Sequence, residues 1–280
     1  MINHFVPKTL KEALDILSEH DCYIFAGGTD LMVQKHKSSG LLPAFDKDIL
    51  YVMNLKELDY IKVDSQNNLH IGGISRFCEL INSPLVPDIF KTVFLEIASP
   101  NIRNTATLVG NIANASPAGD SIVPLNLFNA SVVLQSKRGT RTVLVQDFIQ
   151  GVKKIDREKD ELITEVIVPP ADLKFYYKKV GSRKAETITK VSLMGGYKVE
   201  GGKVKDLRIC FGSISTKVVK NHWIEEKYTG ISTNELRARI DDIINEYDHE
   251  IRPITDQRST KEYRTVVAKN LLRDFLRQVK

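Results

Sequence analysis

The chain has 280 residues, room for two domains at roughly 150 residues each, and its 42% hydrophobic and 27% charged content is that of a globular protein with a sizeable core. A net charge of +5, from 40 basic against 35 acidic residues without an uninterrupted basic tract, argues against a nucleic-acid partner. Residues 1–7 lack the basic and apolar regions of a signal peptide, and no apolar run reaches the roughly 18 residues of a membrane span, so a cytoplasmic protein with no membrane partner is expected.

Thr9 opens a capping-box pattern with Glu12, and Leu10, Ala13, Leu14 and Leu17 follow at helical spacing. Residues 23–25 read as a short buried strand that stops at Gly27-Gly28. Residues 48–53 form another, and 69–71 a third, stopped by Gly72-Gly73. Ser75 is placed to cap a short helix through Ile81, and residues 84–98 read as helical after their prolines, with Leu85, Ile89, Val93 and Ile97 about four apart. This alternation predicts α/β organisation in the first half.

Residues 131–135, 142–145 and 162–168 are β-branched runs separated by turn residues, and Pro169-Pro170 cannot continue a strand. A boundary is placed there, dividing the chain into 1–170 and 171–280. Residues 175–180, 191–199 and 204–213 form a strand-rich block, with Gly201-Gly202 as a hairpin turn. Two amphipathic helices close the chain. One is capped near Thr233 and carries Leu236, Ile240, Ile243 and Ile244; the other runs from about Thr260 with Tyr263, Val267, Leu271, Phe275 and Leu276 on one face.

Cys22, Cys78 and Cys210 are far apart and form no Cys-x-x-Cys pair, so no cluster or structural zinc is signalled; Cys22 and Cys78 read as core thiols. The six histidines show no metal-ligand spacing, and no metal site is expected. Gly-x-Gly-x-x-Gly, P-loop and Gly-x-Ser-x-Gly patterns are all missing.

Two segments remain. Phe25-Ala26-Gly27-Gly28-Thr29-Asp30-Leu31 follows a buried strand. Its glycines let the backbone approach an anionic ligand, successive N–H groups can form a nest for a pyrophosphate, and Asp30 can cap the next helix. An ordinary tight turn is the other reading of Gly-Gly. The twenty residues from Asn101 to Asp120 read as a long loop mixing Asn, Thr, Ser, Gly and Asp with small apolar residues. That mixture suits a ligand with many acceptors, such as a dinucleotide, or else a packed run of polar turns.

Together these segments resemble a known family. Ala26 to Leu31 is similar to the Ala-Gly-Gly-Thr-Asp-Leu signature of the FAD subunits of the xanthine dehydrogenase and molybdenum-containing carbon monoxide dehydrogenase family. Thr107 to Asp120 is similar to its Thr-x-Gly-Gly-Asn-Ile-x-x-x-Ser-Pro-x-x-Asp stretch, and residues 177–185 resemble its Tyr-Arg-Lys-Val-Gly-x-Arg-Lys-Ala segment. The resemblance implies an α+β fold: a two-lobed FAD-binding domain like that of vanillyl-alcohol oxidase, with lobes of about 1–55 and 56–170, then a C-terminal domain of antiparallel sheet and helices.

It implies FAD as cofactor, with Ile24, Phe25, Ala26, Gly27, Gly28, Thr29, Asp30 and Leu31 at the pyrophosphate and Thr107, Gly110 and Asn111 as a second cradle. Ala98, Ile102 and Ala113 would line the slot, Asp120 would reach the adenosine ribose, Gly119 would also contact the cofactor, Leu162 and Ile163 would pack near the dinucleotide, and Lys178 would approach from the C-terminal domain. It implies as partners a molybdopterin-binding large subunit and a [2Fe–2S] small subunit, with NAD+ or another acceptor receiving the electrons, and no catalytic residue in this chain. The alternatives are a self-sufficient flavin oxidoreductase and a flavin-free assembly subunit. Val109 stands where the family has the first glycine of Gly-Gly-Asn, and a β-branched residue there is expected to resist a positive φ.

Overall fold

A computed structural model describes residues 2–38 and 40–280 and shows a mixed α+β chain with three principal sheets. The first is a three-stranded parallel sheet in which Asp48–Tyr51 lies between His4–Phe5 and Cys22–Phe25. Parallel strands need a crossover connection, and Leu10–Glu19 makes the one between the two outer strands, burying Ala13, Leu14 and Leu17. The Thr9 hydroxyl caps this helix by accepting from the Glu12 amide, 3.2 Å. The reciprocal bond is displaced by one residue: the Glu12 carboxylate accepts from Lys8 N–H rather than from Thr9, 2.8 Å.

The second sheet has five antiparallel strands in the order Ile61–Val63, Leu69–Gly72, Leu162–Val168, Ser131–Ser136, Gly139–Leu144. The expected α/β alternation therefore holds for the first lobe only. Beyond residue 60 the helices fill one side of an antiparallel sheet, with Phe77, Phe90, Phe94, Leu108 and Ile112 in one core. Ser75 does not cap the helix Phe77–Asn82. That role falls to Arg76, with the Glu79 carboxylate accepting from its N–H at 2.7 Å, while the Ser75 hydroxyl donates to Tyr60 O.

The third sheet is the meander Lys174–Val180, Val191–Glu200, Lys203–Gly212, turned at Gly201 (φ 58°) and Gly202 (φ 72°). It is covered on both faces. On one lie His222–Lys227, Ile240–Asp248 and Lys261–Arg277, with Phe275 against Gly195; a Cβ there would fall 2.4 Å from the Phe275 ring. Against the other lies Ile122–Leu127, an apolar segment buried on every side, and a Cβ at Gly196 would meet Leu173 and Leu127. Phe128 and Phe175 stack across this junction, centroids 5.2 Å apart. Cys22 and Cys210 are buried, and burial raises the Cys22 thiol to about 11. Cys78, expected in the core, is only half-buried.

Glu225, 4% exposed, accepts from Ile209 N–H at 2.7 Å, and burial raises its carboxyl to about 7 from 4.5. The folded state thus holds this proton more tightly than the unfolded chain, so the contribution to stability is complete below pH 4.5 and is lost as pH rises through about 7. Urea unfolding across that window is expected to show a stability decline that Glu225→Gln flattens; identical slopes in both proteins would contradict the assignment.

Candidate functional site

The strand Cys22–Phe25 runs straight into the turn 26–30 and the helix Leu31–Lys35. Gly28 has φ 69°, and among the described residues the amides of Gly27, Gly28, Thr29, Asp30 and Leu31 donate to no protein acceptor. Unsatisfied N–H groups along one turn form an anion-binding concavity. Asp30 does not cap the helix with its side chain. Gly27 makes the decisive contact. Its missing Cβ would stand 2.1 Å from Thr105 O, so only glycine lets the two backbones meet. At Gly28 a Cβ would meet the Phe25 ring at 2.4 Å in addition to the positive φ, so the constraint there is internal to the turn.

The second segment is more regular than its sequence suggested. Asn101 to Asp120 includes the helices Pro100–Arg103 and Leu108–Ala113. Thr107 caps the latter, its hydroxyl accepting from Gly110 N–H at 3.0 Å. Val109 is helical and 9% exposed in the core, and it is not among the positive-φ residues. The expected conflict does not arise, because a valine is ordinary on the buried face of a helix. The strained positions are Ala98 (φ 44°) and Ala115 (φ 45°). Arg103 holds the former in place by donating to Ile97 O and Ala98 O at 2.7 and 3.0 Å.

The two segments enclose two contiguous clefts of about 270 and 510 Å3 that share Thr29, Asp30, Ala106, Asn111 and Asn114. Ile24, Ala26, Gly27, Gly28, Leu31, Thr107, Gly110 and Ala113 line the first as well. Ala98, Ile102, Gly119 and Asp120 line the second. Four expected residues lie elsewhere. Phe25 faces a separate hollow with Val6, Tyr51 and Met53. Leu162 and Ile163 are buried in hydrophobic cores and line neither cleft, and Lys178 is exposed on its strand and lines neither.

Strand alternation instead turns Lys179 inward, where its Nζ donates to Glu96 O at 2.7 Å and to Asp120 Oδ2 at 2.8 Å. Asp120 Oδ1 accepts from the Thr189 hydroxyl. Burial raises the Asp120 carboxyl against the opposing pull of Lys179. Near Asp120 and Glu96 the buried hydroxyl of Tyr177 has no partner among the described residues, and burial raises it. Sequence reasoning missed Lys179, since two adjacent lysines on a strand are told apart only once the inner face is known. It also missed Gln34, Asn114 and Lys153 on the first cleft and Glu186, Thr187 and Ile188 on the second. Asn114 sits at a variable position of the second motif, and the others lie outside the motifs.

The chain is an α+β protein in which a paired-glycine nest faces a capped helix across two contiguous clefts. Residues 1–171 match the FAD binding domain in molybdopterin dehydrogenase, and residues 175–279 match the CO dehydrogenase flavoprotein C-terminal domain. The chain belongs to this family of FAD-binding subunits of molybdenum hydroxylases, whose cofactor is FAD. It is 30% identical over 276 residues to the glyceraldehyde dehydrogenase medium chain of Sulfolobus acidocaldarius, covering 97% of this chain and 96% of that one. It is 34% identical over 219 residues to the nicotinate dehydrogenase FAD-subunit of Eubacterium barkeri, covering 74% and 70%. The fold matches a chain in the crystal structure of the Cu,Mo-CO dehydrogenase with a TM-score of 0.86 at 24% identity, covering 98% and 95%.

Lys179 and Asp120 are 4% and 8% exposed, and removing one member of such a pair leaves a buried charge alone. Lys179→Met is expected to lose about 3–5 kcal/mol of stability at pH 7. The deficit should shrink on acidification, because protonating Asp120 removes the orphaned charge. Urea unfolding at pH 7 and pH 5 checks both statements, and wild-type stability in the variant would contradict them.

Proposed function

We propose that this chain carries FAD as the electron-transfer subunit of a xanthine dehydrogenase-like molybdenum hydroxylase. In this reading it works in a cytoplasmic heterotrimer with a molybdopterin-binding large subunit and a small subunit holding [2Fe–2S] clusters. The single observation that carries the reading is the run of amides from Gly27 to Leu31, free of acceptors among the described residues, beside a glycine that no other residue can replace. A cradle that a Cβ would fill, with donors already aligned, fits a diphosphate. Residues 1–170 would form the FAD-binding unit, as lobes of about 1–55 and 56–170, with 171–280 closing over it.

FAD held here would supply the redox chemistry, a relay between the partner's clusters and NAD+ or another acceptor. What the chain's own residues do is bind and orient. The amides of Gly27, Gly28 and Thr29 would hold the phosphates, with the Thr29 hydroxyl as a further donor. Thr107 and Gly110 fix the opposite wall through their own hydrogen bond, and Asn111 is held by the Ser121 hydroxyl, which donates to its Oδ1 at 2.7 Å. Ala98, Ile102 and Ala113 would give the slot its apolar lining. Asp120 would take the ribose through lone pairs that Lys179 and Thr189 leave unused, since a carboxylate offers about four. No side chain is needed as a general base.

FAD titration of the purified chain tests this. Wild type is expected to bind FAD and yet to show no turnover of N-heterocycles without partner subunits. Gly27→Ala, which drives a methyl group into Thr105 O, is expected to weaken binding at least about 100-fold, or about 2.7 kcal/mol. An unchanged titration in Gly27→Ala would remove this turn from the site, and turnover by the chain alone would refute the subunit role.

A further inference from the structure

We propose that Lys153 supplies the counter-charge for the FAD diphosphate, a binding role that rests on the reading above and that neither glycine motif contains. A diphosphate diester carries two negative charges, and amide donors alone leave them unneutralised. Among the described residues lining the first cleft, Lys153 is the one cation, and Asp30 the one carboxylate. Among the described residues the second cleft is lined by Asp30, Glu186 and Asp120, the last paired with Lys179 behind it, and no cation lies in its wall. Charge therefore assigns the phosphates to the first cleft and the uncharged parts of the nucleotide to the second.

Lys153 is placed there by its backbone. It caps the two-stranded hairpin formed by Ile149–Gly151 and Lys154–Ile155, and its φ of 57° is one that a residue with a Cβ rarely adopts. Its N–H donates to Ala115 O at 3.0 Å, so the hairpin tip is docked on the end of the helix that forms the far wall of the cleft. The ammonium reaches Asn114 Oδ1, which also accepts from Gln34 Nε2 at 2.8 Å. Gln34 belongs to the helix that follows the nest. One asparagine oxygen thus gathers the nest helix and the hairpin tip on the rim of one cleft. Among the described residues Lys153 makes no ion pair with a carboxylate, so two of its three N–H donors and its whole charge are free for a ligand.

The test is FAD affinity in the full chain, stripped of flavin and titrated at several salt concentrations, for wild type, Lys153→Ala and Lys153→Arg. Alanine keeps the Cβ and so leaves the backbone strain unaltered. Lys153→Ala is expected to raise Kd about tenfold at low salt, or about 1.4 kcal/mol. The gap should close to less than about twofold near 1 M salt, where the Debye length is about 3 Å. Lys153→Arg, which keeps the charge, is expected to stay within about threefold of wild type. Equal affinity in wild type and Lys153→Ala overturns the proposal, as does a gap that salt leaves unchanged or that arginine fails to close, since either would mark a purely structural role. If wild type itself binds no FAD, the underlying reading falls first and this one with it; if wild type binds while the Lys153 pattern is missing, only this inference fails.

Discussion

The arrangement of the cleft depends on one approach of backbone to backbone, Gly27 against the carbonyl of Thr105. Because that contact leaves no space for a side chain, the end of the first sheet and the start of the helix Leu108–Ala113 stand at a separation set by main-chain atoms alone. That contact sets the amides on one side opposite the Thr107-capped helix on the other. Everything that lines the two clefts is hung from these two walls. The positive φ of Ala98 and Ala115 marks where the chain bends to follow them.

The C-terminal meander is tied to that frame by different physics. Its middle strand is buried on both faces, and glycines at 195 and 196 let Phe275 on one side and Leu127 on the other come within contact of the sheet. Apolar packing of this kind holds two layers together without specifying their rotation. Orientation is supplied by the buried Lys179, which joins the strand to Glu96 O and to Asp120. A desolvated ion pair adds little net stability but strongly penalises any arrangement that separates its members. It acts here as a registry device beside the second cleft.

Much of this was legible from residue patterns. Strand runs such as 162–168 and 191–199, the Gly201-Gly202 hairpin and the Thr9 cap were readable because strand-forming runs bounded by turn residues and cap chemistry are local. The convergence of the two glycine- and asparagine-bearing segments was legible through resemblance, since no local rule links residues 27 and 105. What failed was equally physical. The segment 101–120 looked irregular because its helices are four and six residues long, too short for a periodic signal. Ile122–Leu127 has no amphipathic face, being buried all round, and so left no trace. Val109 looked like a conflict only while its backbone was unknown. That Lys179 rather than Lys178 turns inward was not legible either, because a strand's inner face is a tertiary fact.

The most direct measurement of the central claim is a crystal structure of the chain with FAD. The account places both phosphates within about 3 Å of the amides of Gly27 to Leu31, the distance of an N–H···O bond, with the rest of the nucleotide extending past Asn111 into the second cleft. Phosphates found beside Asp120 and Glu186, or a nucleotide bound with Gly27 and Thr105 moved apart, would contradict it.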